Sequence, residues 1–103
     1  MNTNVARLKI NPGKEAEAEA AIQKQAASVE AKEPGTHTYI FHRNRKDPTD
    51  ILVFEIYADD DAVAAHRAQP HMAEFAALFG TVFDRDATKI ERFERVAGFS
   101  RQA

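Results

Sequence analysis

An α+β fold, an antiparallel sheet with helices on one side, is what this sequence predicts, and three observations carry the prediction. Four short stretches, 4–10, 36–43, 51–58 and 88–96, read as strands. A long run rich in Ala, Glu, Gln and Lys separates the first two, and all four are good helix formers. Two shorter helical runs, broken at Pro70, separate the last two.

Taken in order, residues 4–10 place Ala6, Leu8 and Ile10 on one face and Arg7 and Lys9 on the other, the period of a half-buried strand. Asn11-Pro12-Gly13 turns the chain. The helix over 14–33 has Ala18, Ile22, Ala26 and Val29 as its expected buried stripe, and Pro34-Gly35 ends it. In strand 36–43, His37, Tyr39 and Phe41 share a face opposite Thr38, Ile40 and His42. A polar loop, 44–50, makes a hairpin with strand 51–58. That third strand sets Leu52, Phe54, Ile56 and Ala58 against Ile51, Val53, Glu55 and Tyr57. Both sides are largely apolar, so both need cover. The helices cover one side of a small sheet, and a second copy of the chain is the economical cover for the other. Asp59 caps a helix running to about residue 68, with Asp60 and Asp61 near its positive end. A consecutive acidic run fits cap and dipole better than the alternating ligands of a calcium loop. Pro70 restarts a helix with Met72, Phe75, Ala76 and Phe79 as its stripe and Gly80 as its expected cap. Residues 81–83 read as an apolar link, and strand 88–96 offers Ile90, Phe93 and Val96 before a tail, 97–103. The order βαββαβ with short connections is the ferredoxin-like arrangement.

Composition narrows the function. The chain has 103 residues, enough for a single domain, 1–103, with one modest core. Its net charge of -2 gives no basic excess, against a nucleic-acid surface. No apolar run approaches the roughly 20 residues of a membrane span. The first ten residues lack a signal-peptide core, and the absence of cysteine removes disulfides and thiolate chemistry. A cytoplasmic location is the expectation.

His66 and His71 are the residues that could carry chemistry. They flank Pro70 five positions apart, so they are not the i, i+4 pair of a helical metal site. His66 lies on an otherwise apolar turn, either as a cavity base, acid or hydrogen-bond donor, or as a core ring meeting backbone carbonyls or Glu55. His71 falls in a first helical turn, where the dipole disfavours imidazolium; it reads as a proton acceptor, a donor, or a half-exposed helix-start residue. Glu55 sits in an apolar strand and needs a partner: Arg7, a histidine, or a group on a second chain. It would orient a catalytic histidine or, with Tyr57, serve an interface. Tyr39, Phe41, Phe54, Met72, Phe75 and Phe79 could wall a pocket for a flat apolar ligand, or simply be core. No glycine-rich phosphate loop, Ser-His-Asp set or dinucleotide fingerprint occurs.

The segment EIYADDDAVAAHRAQPHMAEF resembles the antibiotic biosynthesis monooxygenase domain family, which carries an acid and an aromatic on the third strand, an acidic turn, then H-x4-H. Glu55, Tyr57, Asp59, His66, Pro70, His71 and Phe75 match that pattern. NPGKEAEAEAAI, EPGTHTYIFHRN and DPTDILVFE are similar to its helix start and hairpin, so the resemblance spans about residues 5–93. It implies a dimeric α/β barrel, two sheets face to face, with a small-molecule pocket between each sheet and its helices. The implied activity is oxygenation of a quinol-like or enolisable aromatic substrate by dioxygen, with no metal, flavin or haem. His66 or His71 would be the base or oxyanion partner, and Tyr39 a polar contact. A haem-degrading branch uses an asparagine, a tryptophan and a histidine iron ligand at positions held here by Ala6, His66 and Ala76, which argues against haem. Another branch, an isomerase of a small phosphorylated dione, shares the 69–71 segment and would need a cationic pocket, for which Arg7, Arg43 and Arg67 are the arginines expected nearby. A non-catalytic ligand-binding dimer is the third alternative.

Overall fold

The computed structural model describes residues 1–101; of the expected tail, Gln102 and Ala103 lie outside the described residues. Among the described residues the order is β1 (Asn2–Lys9), α1 (Glu15–Lys32), β2 (Thr36–Arg43), β3 (Asp50–Tyr57), α2 (Asp60–Ala68), α3 (Pro70–Ala76) and β4 (Lys89–Glu94). The strands form one antiparallel sheet in the order β2-β3-β1-β4, the ferredoxin-like topology.

Strand alternation decides what each face does. Ile51, Val53, Glu55 and Tyr57 of β3 are buried beneath the helices, while Leu52, Phe54 and Ile56 are half-buried on the opposite face. Their register partners Ile40 and Thr3 lie on that open face too, with Phe93 beyond. Ile40 is 49% and Phe93 51% exposed, so among the described residues this sheet face is only partly covered, with the segment 95–100 bordering it at Ile40, Phe54 and Ile56. The helix-side core is Ala6, Leu8, Ile10, Ala18, Ile51, Val53, Phe75, Val82 and Phe83. Phe83 is fully buried; it bridges to Ile10 and stacks on Phe79 at 5.0 Å between centroids. Val82 and Phe83 of the link 81–83 are therefore part of the core, while Thr81 is exposed.

Several expectations shift. The buried side of α1 is Ala18, Gln25 and Val29, with Ile22 and Ala26 only half-buried. A bulge between Thr36 and Thr38 takes His37 out of register. Thr36, not His37, then shares the helix-side face with Tyr39 and Phe41. In α3 the buried residues are His71 and Phe75, and Ala76 is exposed. The helix stops at Ala76, so Gly80, with φ +106°, serves the following turn and donates its N–H to the Phe83 carbonyl. Strand β4 ends at Glu94, leaving Val96 exposed.

Asp59 caps α2 as expected, its side chain accepting the Ala62 N–H at 2.8 Å. That helix seats against Gly35, where an added Cβ would lie 2.8 Å from the Ala62 Cβ. Only glycine permits this approach. Gly35→Ala is expected to lower stability by about 1–3 kcal/mol. Ala62→Gly should restore part of the loss in the double variant, more than the sum of the single effects allows. Urea unfolding of the four proteins checks this, and additive effects would disprove the contact.

Candidate functional site

The site begins where α1 ends. Pro34 disfavours helical geometry at the residue before it, and Glu33 takes φ −125°, ψ 80° as the helix cap. The turn directs the Glu33 side chain inward, and that side chain is only 2% exposed. A carboxylate at a helix C-terminus faces the unfavourable end of the dipole, so it needs donors. Three supply them. Thr36 Oγ1 donates to Oε1 at 2.9 Å, His66 Nδ1 lies 2.8 Å from Oε1, and His71 Nε2 lies 2.5 Å from Oε2.

The two imidazoles reach one carboxylate because the chain breaks between them. Gln69, at φ −71°, ψ 140°, caps both α2 and α3, and Pro70 fills the first turn of α3 without losing a hydrogen bond. The kink lets the last turn of α2 and the first turn of α3 aim inward together. Both rings are buried, His66 at 7% and His71 at 6% exposure. Sequence reasoning missed Glu33 and gave the orienting role to Glu55. The overlooked signal was an acid at the unfavourable end of a helix, directly before a proline.

The histidines separate by surroundings. His66 lines a cavity of about 110 Å³ between sheet and helices. Its floor includes Asn4, Ala6, Tyr39, Val53 and Glu55; Val63, Met72, Phe75 and Phe79 complete the apolar wall. Arg67, Thr88 and Ile90 stand at its exposed side, Ile90 being 62% exposed. His71 lies behind Glu33 and lines a different groove of about 180 Å³ between α1 and α3, with Lys24, Gln25 and Glu74. With His66 Nδ1 held by Glu33, Nε2 is the nitrogen left for a ligand.

Glu55 finds Tyr57, whose hydroxyl donates to Oε1, rather than Arg7 or a histidine. Arg7 is on the open face, paired with Asp50 at 3.3 Å. Burial pushes the Glu55 carboxyl above the usual carboxylate range, against the opposing pull of the Tyr57 hydroxyl and the nearby His66. Burial likewise raises the Tyr39 and Tyr57 phenols, with Glu55 adding to the effect on Tyr57, so both remain hydroxyl donors. Tyr39 also meets Gln25 Nε2 at 3.4 Å, and its ring lies 5.4 Å from that of His66.

Two expected pocket residues need correction. Phe54 points to the open face, since it alternates with Val53 and Glu55 and cannot share their side of the sheet. Phe41 is on the helix side but supports the site from behind, packed edge-on against Tyr39 and Phe75. Tyr57 is fully buried and acts through Glu55. Tyr39, Met72, Phe75 and Phe79 do line the cavity. Among the described residues no three His, Cys, Asp or Glu side chains are disposed to hold a metal ion.

Residues 1–78 match the family model described as antibiotic biosynthesis monooxygenase. Among solved structures, one from Caulobacter crescentus, named as a candidate antibiotic biosynthesis monooxygenase, is 32% identical with a TM-score of 0.85, covering 93% of this chain and 90% of that one. PA3566 from Pseudomonas aeruginosa is 24% identical, TM-score 0.84, covering 93% and 94% of the two chains. Rv0793 from Mycobacterium tuberculosis is 19% identical, TM-score 0.85, with 96% and 98% covered. The last two share the fold; no curated protein matches the chain.

Glu55 gives the site a pH signature. An acid with a raised folded-state pKa binds its proton more tightly in the folded chain than in the unfolded one. Its contribution is full at low pH and fades as pH rises from the ordinary carboxylate range through the raised value. The stability of the wild type relative to Glu55→Gln is therefore expected to fall across that interval, as read by urea unfolding at stepped pH. A difference that stays flat or grows with pH would contradict the assignment.

Proposed function

Because the chain belongs to the antibiotic biosynthesis monooxygenase family, we propose that it oxygenates a quinol-like or enolisable aromatic small molecule with dioxygen and without a bound cofactor. The observation that carries the reading is His66, a ring on the wall of a largely apolar cavity with its far nitrogen fixed to a buried carboxylate. That is the arrangement of a base: Nε2 accepts a proton and Glu33 stabilises the imidazolium.

The chemistry follows from the surroundings. His66 removes a proton from the substrate hydroxyl or activated CH₂. The resulting anion gives one electron to dioxygen, and radical and superoxide combine as a carbon-bound peroxide. The remaining C–H proton passes to the outer peroxide oxygen as the O–O bond breaks, which leaves a carbonyl and hydroxide; the hydroxide takes the proton held on His66 and departs as water. The balance is CH₂ + O₂ → C=O + H₂O. Phe75, Phe79 and Met72 hold the ring and keep water from the anion. Tyr39, kept protonated, is a donor for a developing oxyanion. His71, outside the cavity wall, acts through Glu33. The phosphorylated-substrate isomerase is less well supported: Arg7 is tied to Asp50 on the open face, Arg43 ends β2 away from the cavity, and Arg67 alone of the three borders it.

A homodimer completes the reading. The open face carries Leu52, Phe54 and Ile56 on one strand, flanked by Ile40, Val5 and Phe93. An apolar patch of this size, bordered by Thr3, Arg7 and Glu91, is the surface on which a second copy would seat. The other partner is a small molecule; no described helix is long and apolar enough to cross a membrane.

Two measurements test these statements. Oxygen uptake with a panel of naphthoquinols and anthrones is expected to fall about 100- to 10,000-fold in His66→Ala. The loss in His71→Ala should be smaller. Unchanged rates in both would reject the assigned roles, and equal turnover under argon would point to isomerisation. Phe54→Asp is expected to shift the sedimentation coefficient from dimer to monomer while the cavity residues stay in place. A wild type that sediments as a monomer would remove the dimer.

A further inference from the structure

Asn4 is buried to 4% exposure on the cavity floor, and among the described residues its Oδ1 has no hydrogen-bond partner. The next residues on its strand face, Ala6 and Leu8, are apolar and also line the cavity. Packing alone would be served as well by an apolar side chain, since a buried acceptor without a donor destabilises a fold. The position is also specific. In the sheet register Tyr39 pairs with Glu55, Glu55 with Asn4, and Asn4 with Arg92, so one row across all four strands is polar. The adjacent row on the same face, Phe41, Val53, Ala6 and Ile90, is apolar. The floor thus has a polar end and an apolar end, and His66 faces it from α2. Among the described residues the other orphaned atom, His71 Nδ1, lies behind Glu33 outside the cavity wall.

We propose that Asn4 is a specificity-determining residue that accepts a hydrogen bond from a substrate hydroxyl at Oδ1, so that the cavity takes hydroxyarenes and orients them with the hydroxyl on the polar row. This inference rests on the small-molecule reading of the same cavity. The arene lies over Ala6 and Val53, against Phe75, and the ring carbon near the hydroxyl is presented to His66. An aryl ether or a bare arene leaves Oδ1 unmatched and loses the orienting contact. The residue holds the ligand; the proton goes to His66.

Binding without turnover separates this from the oxygenation reading. Calorimetry uses 1-naphthol and 1-methoxynaphthalene, a pair differing in the donated proton, with wild type, Asn4→Leu and Asn4→Asp under argon. Wild type is expected to prefer the naphthol by about tenfold or more, the order of one hydrogen bond to a site built for it. Asn4→Leu should lose that preference by weakening naphthol while binding the ether undiminished, and should melt at or above the wild-type temperature. Asn4→Asp, which keeps an acceptor, should retain the preference. The proposal is overturned if wild type does not discriminate, if the preference survives in Asn4→Leu, or if that variant melts well below wild type. Failure of quinol oxidation with the binding pattern intact would reject the oxygenase alone.

Discussion

A single carboxylate, Glu33, joins the pieces of this structure that matter for chemistry. It closes α1, accepts from Thr36 at the start of β2, and receives rings from α2 and α3. Burying an ion this deeply costs several kcal/mol unless its lone pairs are used. Here three side-chain donors use them, and the donors come from three different elements. The same hydrogen bonds that make the charge tolerable fix the rotation of both imidazoles. Stability and the poise of His66 therefore share one cause.

The sheet contributes direction. Because its strands are in register, residues of one type line up across it, and the floor changes from polar to apolar over one step along the strands. A ligand entering such a space meets a gradient. The helices add the roof, and the closeness of Gly35 to Ala62 sets how low α2 hangs. The aromatic residues divide the work between packing and polarity. Phe75 contacts Phe41, Phe79 and Phe83 at once, whereas Tyr39 shows its hydroxyl to the interior.

The architecture was largely legible in the sequence because its signals are local. Period-2 alternation, the Pro34-Gly35 stop, the Asp59 cap and the Pro70 break each act within a few residues. The site was half legible. His66 and His71 stand out by type, yet which one meets the cavity depends on helix rotation, which spacing alone does not give. Glu33 escaped because its partners are 33 and 38 positions away. Phe54 was misplaced by counting aromatics without honouring alternation, and His37 by a bulge that no local pattern announces. Asn4 carried no signal until its neighbours across the sheet were known.

The alternation of β3 has a historical consequence. Residues Glu55 and Tyr57 serve the interior, and Leu52, Phe54 and Ile56 serve the outer surface, on one uninterrupted strand between β1 and β2. Point changes on either side can be explored separately. A single-codon insertion or deletion cannot, because it would exchange the two inventories wholesale. Descendants of this chain are free to vary in length in the 44–49 hairpin loop, while β3 itself must be inherited at fixed count.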